Sequence, residues 1–184
     1  MSVHRRRLPH WYPDNTPLFL TWHLHGSLPQ GLYPPPEKVS SGQAFVWIDR
    51  FLDTTRKGPL FLFREDIAQV VVNSLQKGEQ LGHYRLHAWV LLGNHVHALL
   101  TPLIPPSRLT ASLKGATARQ ANKLLGRTGE AFWQAECYDH WIRDEEEFRR
   151  VWSYIENNPV KAGLVTEPAA FRWSSAWRAS KISR

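Results

Sequence analysis

The chain has 184 residues and a mass of 21.3 kDa, enough for one domain that buries about two thirds of its unfolded surface without disulfides or a structural metal. Basic residues number 23 and acidic ones 16, a net charge of +7 that favours an anionic partner, and the 42% apolar content argues against wholesale disorder. The single cysteine, Cys137, excludes an internal disulfide and a multi-cysteine zinc knuckle; no long apolar run follows the basic start Met1–Arg7, so no signal peptide or membrane span is expected and a reducing cytoplasm is the expected setting.

Residues 1–16 read as an irregular basic arm. Leu18 to His25 alternates with period two and predicts a strand, with Leu18, Leu20, Trp22 and Leu24 on one face. Gly26 to Gly42 holds four prolines and three glycines and reads as a long loop. Phe45-Val46-Trp47-Ile48 is a short apolar run expected to be extended. Phe63 to Gly78 predicts a helix with Ile67, Val70, Val71 and Leu75 near one stripe. Tyr84 to Leu92 and His95 to Thr101 read as two strands joined at Gly93-Asn94. Ser107 is a candidate N-cap for a helix from Arg108 to about Leu125. A strand is favoured near Tyr138 to Ile142. Asp144 should cap a further helix, whose Glu145-Glu146-Glu147 suits the positive N-terminal end and which Asn157-Asn158-Pro159 should terminate. Three or four strands with segregated helices predict a two-layer α+β domain. The expected organisation is a basic arm over 1–16, a catalytic domain over 17–165 and a basic tail over 166–184.

His95 and His97 fall two apart on a predicted strand, so both imidazoles share one face while Val96 enters the apolar layer. Such a pair can share a divalent metal, with further ligands needed to complete the shell. The same spacing recurs at His23 and His25, and packing histidines produce it equally well. Tyr154 and Asn158 are four apart on a predicted helix and stack one above the other. A half-exposed tyrosine hydroxyl can attack phosphorus and hold the product covalently. A boundary aromatic and a helix-ending asparagine account for the same spacing. Tyr138, beside Asp139 and His140, is a rival nucleophile.

Ala88 to Leu92 followed by Gly93-Asn94-His95-Val96-His97 resembles the signature strand pair of the HUH single-strand-DNA transposases. Phe132-Trp133-Gln134, Tyr138 to Arg143, and Tyr154-Ile155-Glu156-Asn157-Asn158-Pro159-Val160-Lys161-Ala162-Gly163-Leu164 resemble the second half of the same domain. The blocks run in family order across about Leu18 to Val165 and are most similar to the REP-associated tyrosine transposases. The resemblance implies a ferredoxin-like fold whose antiparallel sheet carries the metal ligands. It implies that His95 and His97 bind the metal, that Asn158 is the third, polar ligand, and that Tyr154 is the nucleophile. Tyr154 would form a 5′-phosphotyrosine and free a 3′-hydroxyl. His140 matches a recurrent histidine without an assigned role, and Gly93 stands where many relatives carry proline, a change expected to be harmless in a turn.

The implied reaction is transesterification of single-stranded DNA, with substrates that often lie beside imperfect hairpins and a protein that is a monomer or a homodimer. Mg²⁺ or Mn²⁺ suits a mixed nitrogen and oxygen site that must leave positions for phosphate oxygens. Arg5, Arg6, Arg7, Lys114, Arg119 and Lys123 are candidate backbone contacts, which position rather than specify. Two other readings stand beside this one. One is a non-cleaving hairpin-binding protein or repressor on the same fold. The other is a small metalloenzyme with a non-nucleic substrate.

Overall fold

The computed structural model describes residues 15–29, 41–54 and 58–177. In chain order the elements are β1 (Leu18–His23), α1 (Ser41–Thr54), a 3-10 turn (Phe61–Phe63), α2 (Glu65–Gln80), β2 (Tyr84–Leu91), β3 (His95–Pro102), α3 (Pro106–Leu125), β4 (Tyr138–Trp141), α4 (Glu145–Lys161) and a second 3-10 turn (Pro168–Ala170). The strands form one antiparallel sheet in the order β2-β3-β1-β4. This is the expected α+β, ferredoxin-like arrangement. No helix among the described residues is long and apolar enough to cross a membrane.

Strand alternation divides the apolar residues between two cores. Leu18, Leu20 and Trp22 of β1 join Val96, Ala98 and Leu100 of β3 against Ile67, Val71 and Leu75 of α2 and Leu109 and Leu113 of α3. Phe19, Val90 and Leu99 point to the other face, where Ile155 of α4 and Phe45 of α1 cover them. Every residue of β1 is therefore buried, as expected of a strand covered on both faces. In β2 the register shifts between Leu86 and Ala88. This bulge reverses the side-chain parity, so Leu86 and Trp89 reach the same core despite their odd separation. Beyond α4, Leu91 N donates to Trp173 O, so the chain returns along the free edge of β2.

Four local expectations are corrected. Phe45 to Ile48 is helical, inside α1, and Ser41 and Gly42 also belong to that helix rather than to a loop. Its inward side carries Asp49 and Leu52, while Val46 and Trp47 are exposed. A helix whose buried positions include aspartate lacks the apolar 3.6-residue period that would reveal it. Helix α3 begins at Pro106 with Pro105 as its N-cap, so Ser107 lies within the first turn; proline fits there because the first helical amides have no intrahelical acceptor. Helix α4 runs through Asn157-Asn158-Pro159 to Lys161. Pro159 forfeits one amide near the end, and Gly163 at φ 68° closes the helix, with Leu164 N bonded to Pro159 O. Finally, Gly93 is not freely exchangeable for proline. A Cβ there would lie 2.4 Å from the Phe63 ring, which would have to move.

The start of α4 agrees with expectation. Asp144 Oδ1 accepts from Glu147 N at 2.7 Å. Glu147 in turn reaches back past the N-cap to accept from Arg143 N at 2.8 Å and lies 3.0 Å from His140 Nε2, which also ties α4 to β4. His140 thus has a structural partner. The Arg143 side chain outweighs desolvation and, with the Arg143 amide and His140, lowers the Glu147 carboxyl to about 2. Because the folded value lies below the ordinary 4.5, this stabilisation is complete above pH 4.5 and is lost as pH falls toward 2. Glu147→Gln should flatten that acid limb in urea titrations. Asp144→Ala should cost about 1 kcal/mol at neutral pH.

Candidate metal centre

The site lies on the sheet face covered by α1 and α4. Alternation along β3 sends His95 and His97 to this face, and both are 0% exposed. Each ring is held through Nδ1. His95 Nδ1 lies 2.6 Å from Asn94 Oδ1, and the Asn94 amide donates to Leu52 O of α1. His97 Nδ1 lies 2.7 Å from Thr21 Oγ1 on β1. Anchoring of this kind leaves Nε2 as the ligating atom and fixes its direction.

Both Nε2 atoms point at carboxylates from α1. Asp49 Oδ1 lies 3.0 Å from His97 Nε2 and 4.0 Å from His95 Nε2, and Asp53 Oδ1 lies 3.5 Å from His95 Nε2. One ligand atom from each of Asp49, His95 and His97 falls within 4.8 Å of the others. From α4, the Tyr154 hydroxyl donates to Asp49 Oδ2 in a short hydrogen bond, and the Tyr154 ring stands 5.6 Å from that of His97. Phe19 and Phe45 complete an aromatic wall around these groups.

The fit to a cation rests on unpaired polar atoms. Among the described residues, all but one of the buried side-chain polar atoms without a hydrogen-bond partner belong to Asp49, Asp53, His95, His97 and Asn158. Buried polar groups are ordinarily paired, and each orphan costs about 1–3 kcal/mol. Orphans gathered at two imidazoles and two carboxylates offer the nitrogen and oxygen donors that a divalent cation takes. Asn158 is 0% exposed, with both its amide nitrogen and oxygen unpaired, one helical turn beyond Tyr154.

Electrostatics at the site point the same way. Burial, reinforced by His97, holds the His95 imidazole well below its usual range, so it is neutral and able to ligate. Burial would raise the Asp49 carboxyl, but the His97 contact and the two imidazoles outweigh it and keep Asp49 well below the usual carboxylate range. Burial and then the Asp49 charge push Asp53 up to about 6. Burial, followed by the Asp49 charge and hydrogen bond, raises the Tyr154 phenol far above its usual value. Phenolate formation is therefore unfavourable here until positive charge enters the cluster.

Of the residues singled out in the sequence, His95, His97, Tyr154 and Asn158 lie on the two elements that meet at this site. Tyr138 is displaced along the wall, its ring stacked 4.4 Å from Phe45. His23 is the cross-strand neighbour of His95 but is held by a partner of its own. Its Nδ1 meets Ser27 Oγ at 2.8 Å, and burial lowers it to about 4. Arg5, Arg6 and Arg7 lie outside the described residues. Lys114 donates to Gln134 O and Ala135 O at 2.6 and 2.8 Å. Arg119 and Lys123 are exposed on α3, which packs on the opposite face of the sheet. DNA seated at the cluster would have to pass around the sheet to reach them. Asp49, Asp53 and Lys161 were not among the candidate residues. The i, i+4 spacing of Asp49 and Asp53, in helical phase with Phe45, was the available signal.

No family model matches the chain. An uncharacterized protein of Haemophilus influenzae is 26% identical over 98 residues, covering 41% of this chain and 54% of that one, so the match spans about half of the relative's length. A solved structure described as a REP-associated tyrosine transposase bound to a REP hairpin superposes with a TM-score of 0.61 at 21% identity, covering 100% of this chain and 87% of that one. A Deinococcus radiodurans R1 structure, described as a candidate transposase, gives a TM-score of 0.45 at 16% identity over 83% of this chain and 97% of that one. At 21% identity the first superposition establishes the fold: this chain has the fold of the hairpin-bound tyrosine transposase, with the histidine pair and the acidic α1 residues meeting on one face of its sheet.

Proposed function

We propose that this protein is a metal-dependent single-stranded DNA transposase or endonuclease, acting in the cytoplasm, that cleaves and rejoins DNA through a 5′-phosphotyrosine. The observation that carries the reading is the chain of contacts from nucleophile to metal cluster. Tyr154 Oη bonds to one oxygen of Asp49, whose other oxygen faces His97 Nε2. The ligands are His95, His97 and Asp49, with Asn158 as a further oxygen donor, and the ion is Mg²⁺ or Mn²⁺. Bound there, the cation neutralises phosphate charge and polarises the scissile group.

In this scheme Asp49 orients the Tyr154 hydroxyl toward the phosphate. Tyr154 attacks in line, the P–O3′ bond breaks, and a 3′-hydroxyl is released while the phosphate stays on the tyrosine. The phosphotyrosine conserves the ester, so a 3′-hydroxyl can reseal the strand without ATP. All these groups come from a single chain, so a monomer suffices. The substrate is single-stranded DNA beside a hairpin, in keeping with the ligand of the superposed transposase. Arg119 and Lys123, with Arg5, Arg6 and Arg7, would contact the backbone away from the cut, and Lys114 would do so only after leaving its carbonyl partners.

Incubation with labelled hairpin-flanked single-stranded DNA and Mn²⁺ should yield a protein–DNA adduct that survives denaturation, with EDTA preventing it. Hairpin binding with no adduct in Mn²⁺ would support the non-cleaving repressor reading instead.

A further inference from the structure

Asp49 and Asp53 each divide their two oxygens between different surroundings. Asp49 Oδ1 and Asp53 Oδ1 face the imidazole nitrogens. The other oxygens, Asp49 Oδ2 and Asp53 Oδ2, are shared by a different cation: the Lys161 ammonium lies 3.5 Å from each of them. Two carboxylates spanning two cation positions is the geometry of a two-metal centre, in which the ions sit about 3.5–4 Å apart. Here the inner position is lined by His95 and His97, and a lysine fills the outer one.

We infer that Lys161 is a built-in second cation, occupying the outer position of a carboxylate-bridged site so that the chain takes up one divalent ion rather than two. Lys161 is the one lysine or arginine ion-paired with either carboxylate among the described residues. Asp49 and Asp53 side chains are 2% and 5% exposed, and charges so buried require a partner. The ammonium reaches them because α4 continues through Pro159, which sets Lys161 two turns beyond Tyr154. It also lies 5.1 Å from the Tyr154 ring centroid. Lys161 is thus a positioning residue. It holds the outer oxygen of Asp49, which in turn holds the Tyr154 hydroxyl. Its side chain is 52% exposed, so its replacement leaves the core intact.

The inference rests on reading the cluster as a metal centre, and Mn²⁺ stoichiometry on the full chain without DNA tests it. Calorimetry and Mn²⁺ electron paramagnetic resonance should show one ion per wild-type chain. Lys161→Met and Lys161→Gln should each bind two, with spin coupling between them. Lys161→Arg should return to one, as should Lys161→Met combined with Asp53→Asn. A single ion at wild-type affinity in both neutral variants, or two ions in Lys161→Arg, would overturn the assignment. A wild type that binds no Mn²⁺ would overturn it together with the metal reading. One ion in the wild type and two in both neutral variants, but no DNA adduct, would uphold it and reject the nuclease reading alone.

Discussion

Tyr154→Phe is expected to abolish the covalent DNA adduct, with strand cleavage falling by about 10⁴-fold or more, the scale of loss when a covalent nucleophile is removed. The phenylalanine ring keeps the edge contacts with Phe19 and His97, at 6.1 and 5.6 Å between ring centroids, so the site's walls stay in place. What disappears is the oxygen proposed as nucleophile and its bond to Asp49. Tyr138→Phe serves as the matched control. That ring stacks on Phe45 and meets Phe19 edge to face, contacts that do not need the hydroxyl, so the adduct should form at near the wild-type rate. Denaturing gels of the two variants beside the wild type decide the matter. An adduct that persists in Tyr154→Phe and vanishes in Tyr138→Phe would transfer the nucleophile to β4.

Asp49→Asn should separate metal affinity from stability. The amide nearly matches the carboxylate in shape and can still accept from Tyr154, but it removes the charge between the two imidazoles. Even loss of a partner outside the ligand shell weakens metal binding by about 10–100-fold, and loss of this carboxylate should weaken Mn²⁺ at least as much. The pH dependence of metal-free stability should change as well. Burial and the Asp49 charge raise the Asp53 carboxyl from 3.8 to about 6. A carboxyl whose folded value lies above its unfolded one retains its proton longer in the native state. The chelated wild type should therefore lose stability as pH rises from about 4 to 6. Asp49→Asn should reduce that loss, and Mn²⁺ should restore the wild type far more than the variant. Thermal melts at pH 4 and 7, with EDTA or Mn²⁺, measure both effects. A variant that keeps wild-type Mn²⁺ affinity would remove Asp49 from the ligand set.

Keeping the Asp53 charge at neutral pH is where this site costs stability. A carboxyl raised by burial at Asp53, a neutral imidazole at His95 and a tyrosine resistant to ionisation form an arrangement that a cation relieves. A stable core around them makes the arrangement tolerable. β1 and β3 are buried on both faces, and α4 is capped by Asp144 and anchored to β4 through Glu147 and His140.

What the amino-acid sequence determined by itself was set by local geometry. Period two along β3 put His95 and His97 on one face, with Val96 in the opposite core. The 3.6-residue period placed Asn158 one turn from Tyr154, and Asp144 marked the start of their helix. Such features need only neighbouring residues, so they survive translation from sequence to structure. The acidic half of the site did not. Asp49 and Asp53 sit on the inward side of α1, where two charges break the apolar pattern that would have announced a helix, and Phe45-Val46-Trp47-Ile48 mimics a strand. Their meaning arises only when α1 docks over β3, some forty residues later in the chain, and supplies carboxylates to imidazoles that already point toward them. Lys161 depended on the same tertiary level, because proline at 159 signals termination locally while packing carries α4 on to its stop at Gly163. A ligand set drawn from distant segments has no short-range signature: only the folded core brings its charges within a few ångströms, where low dielectric makes their interactions strong.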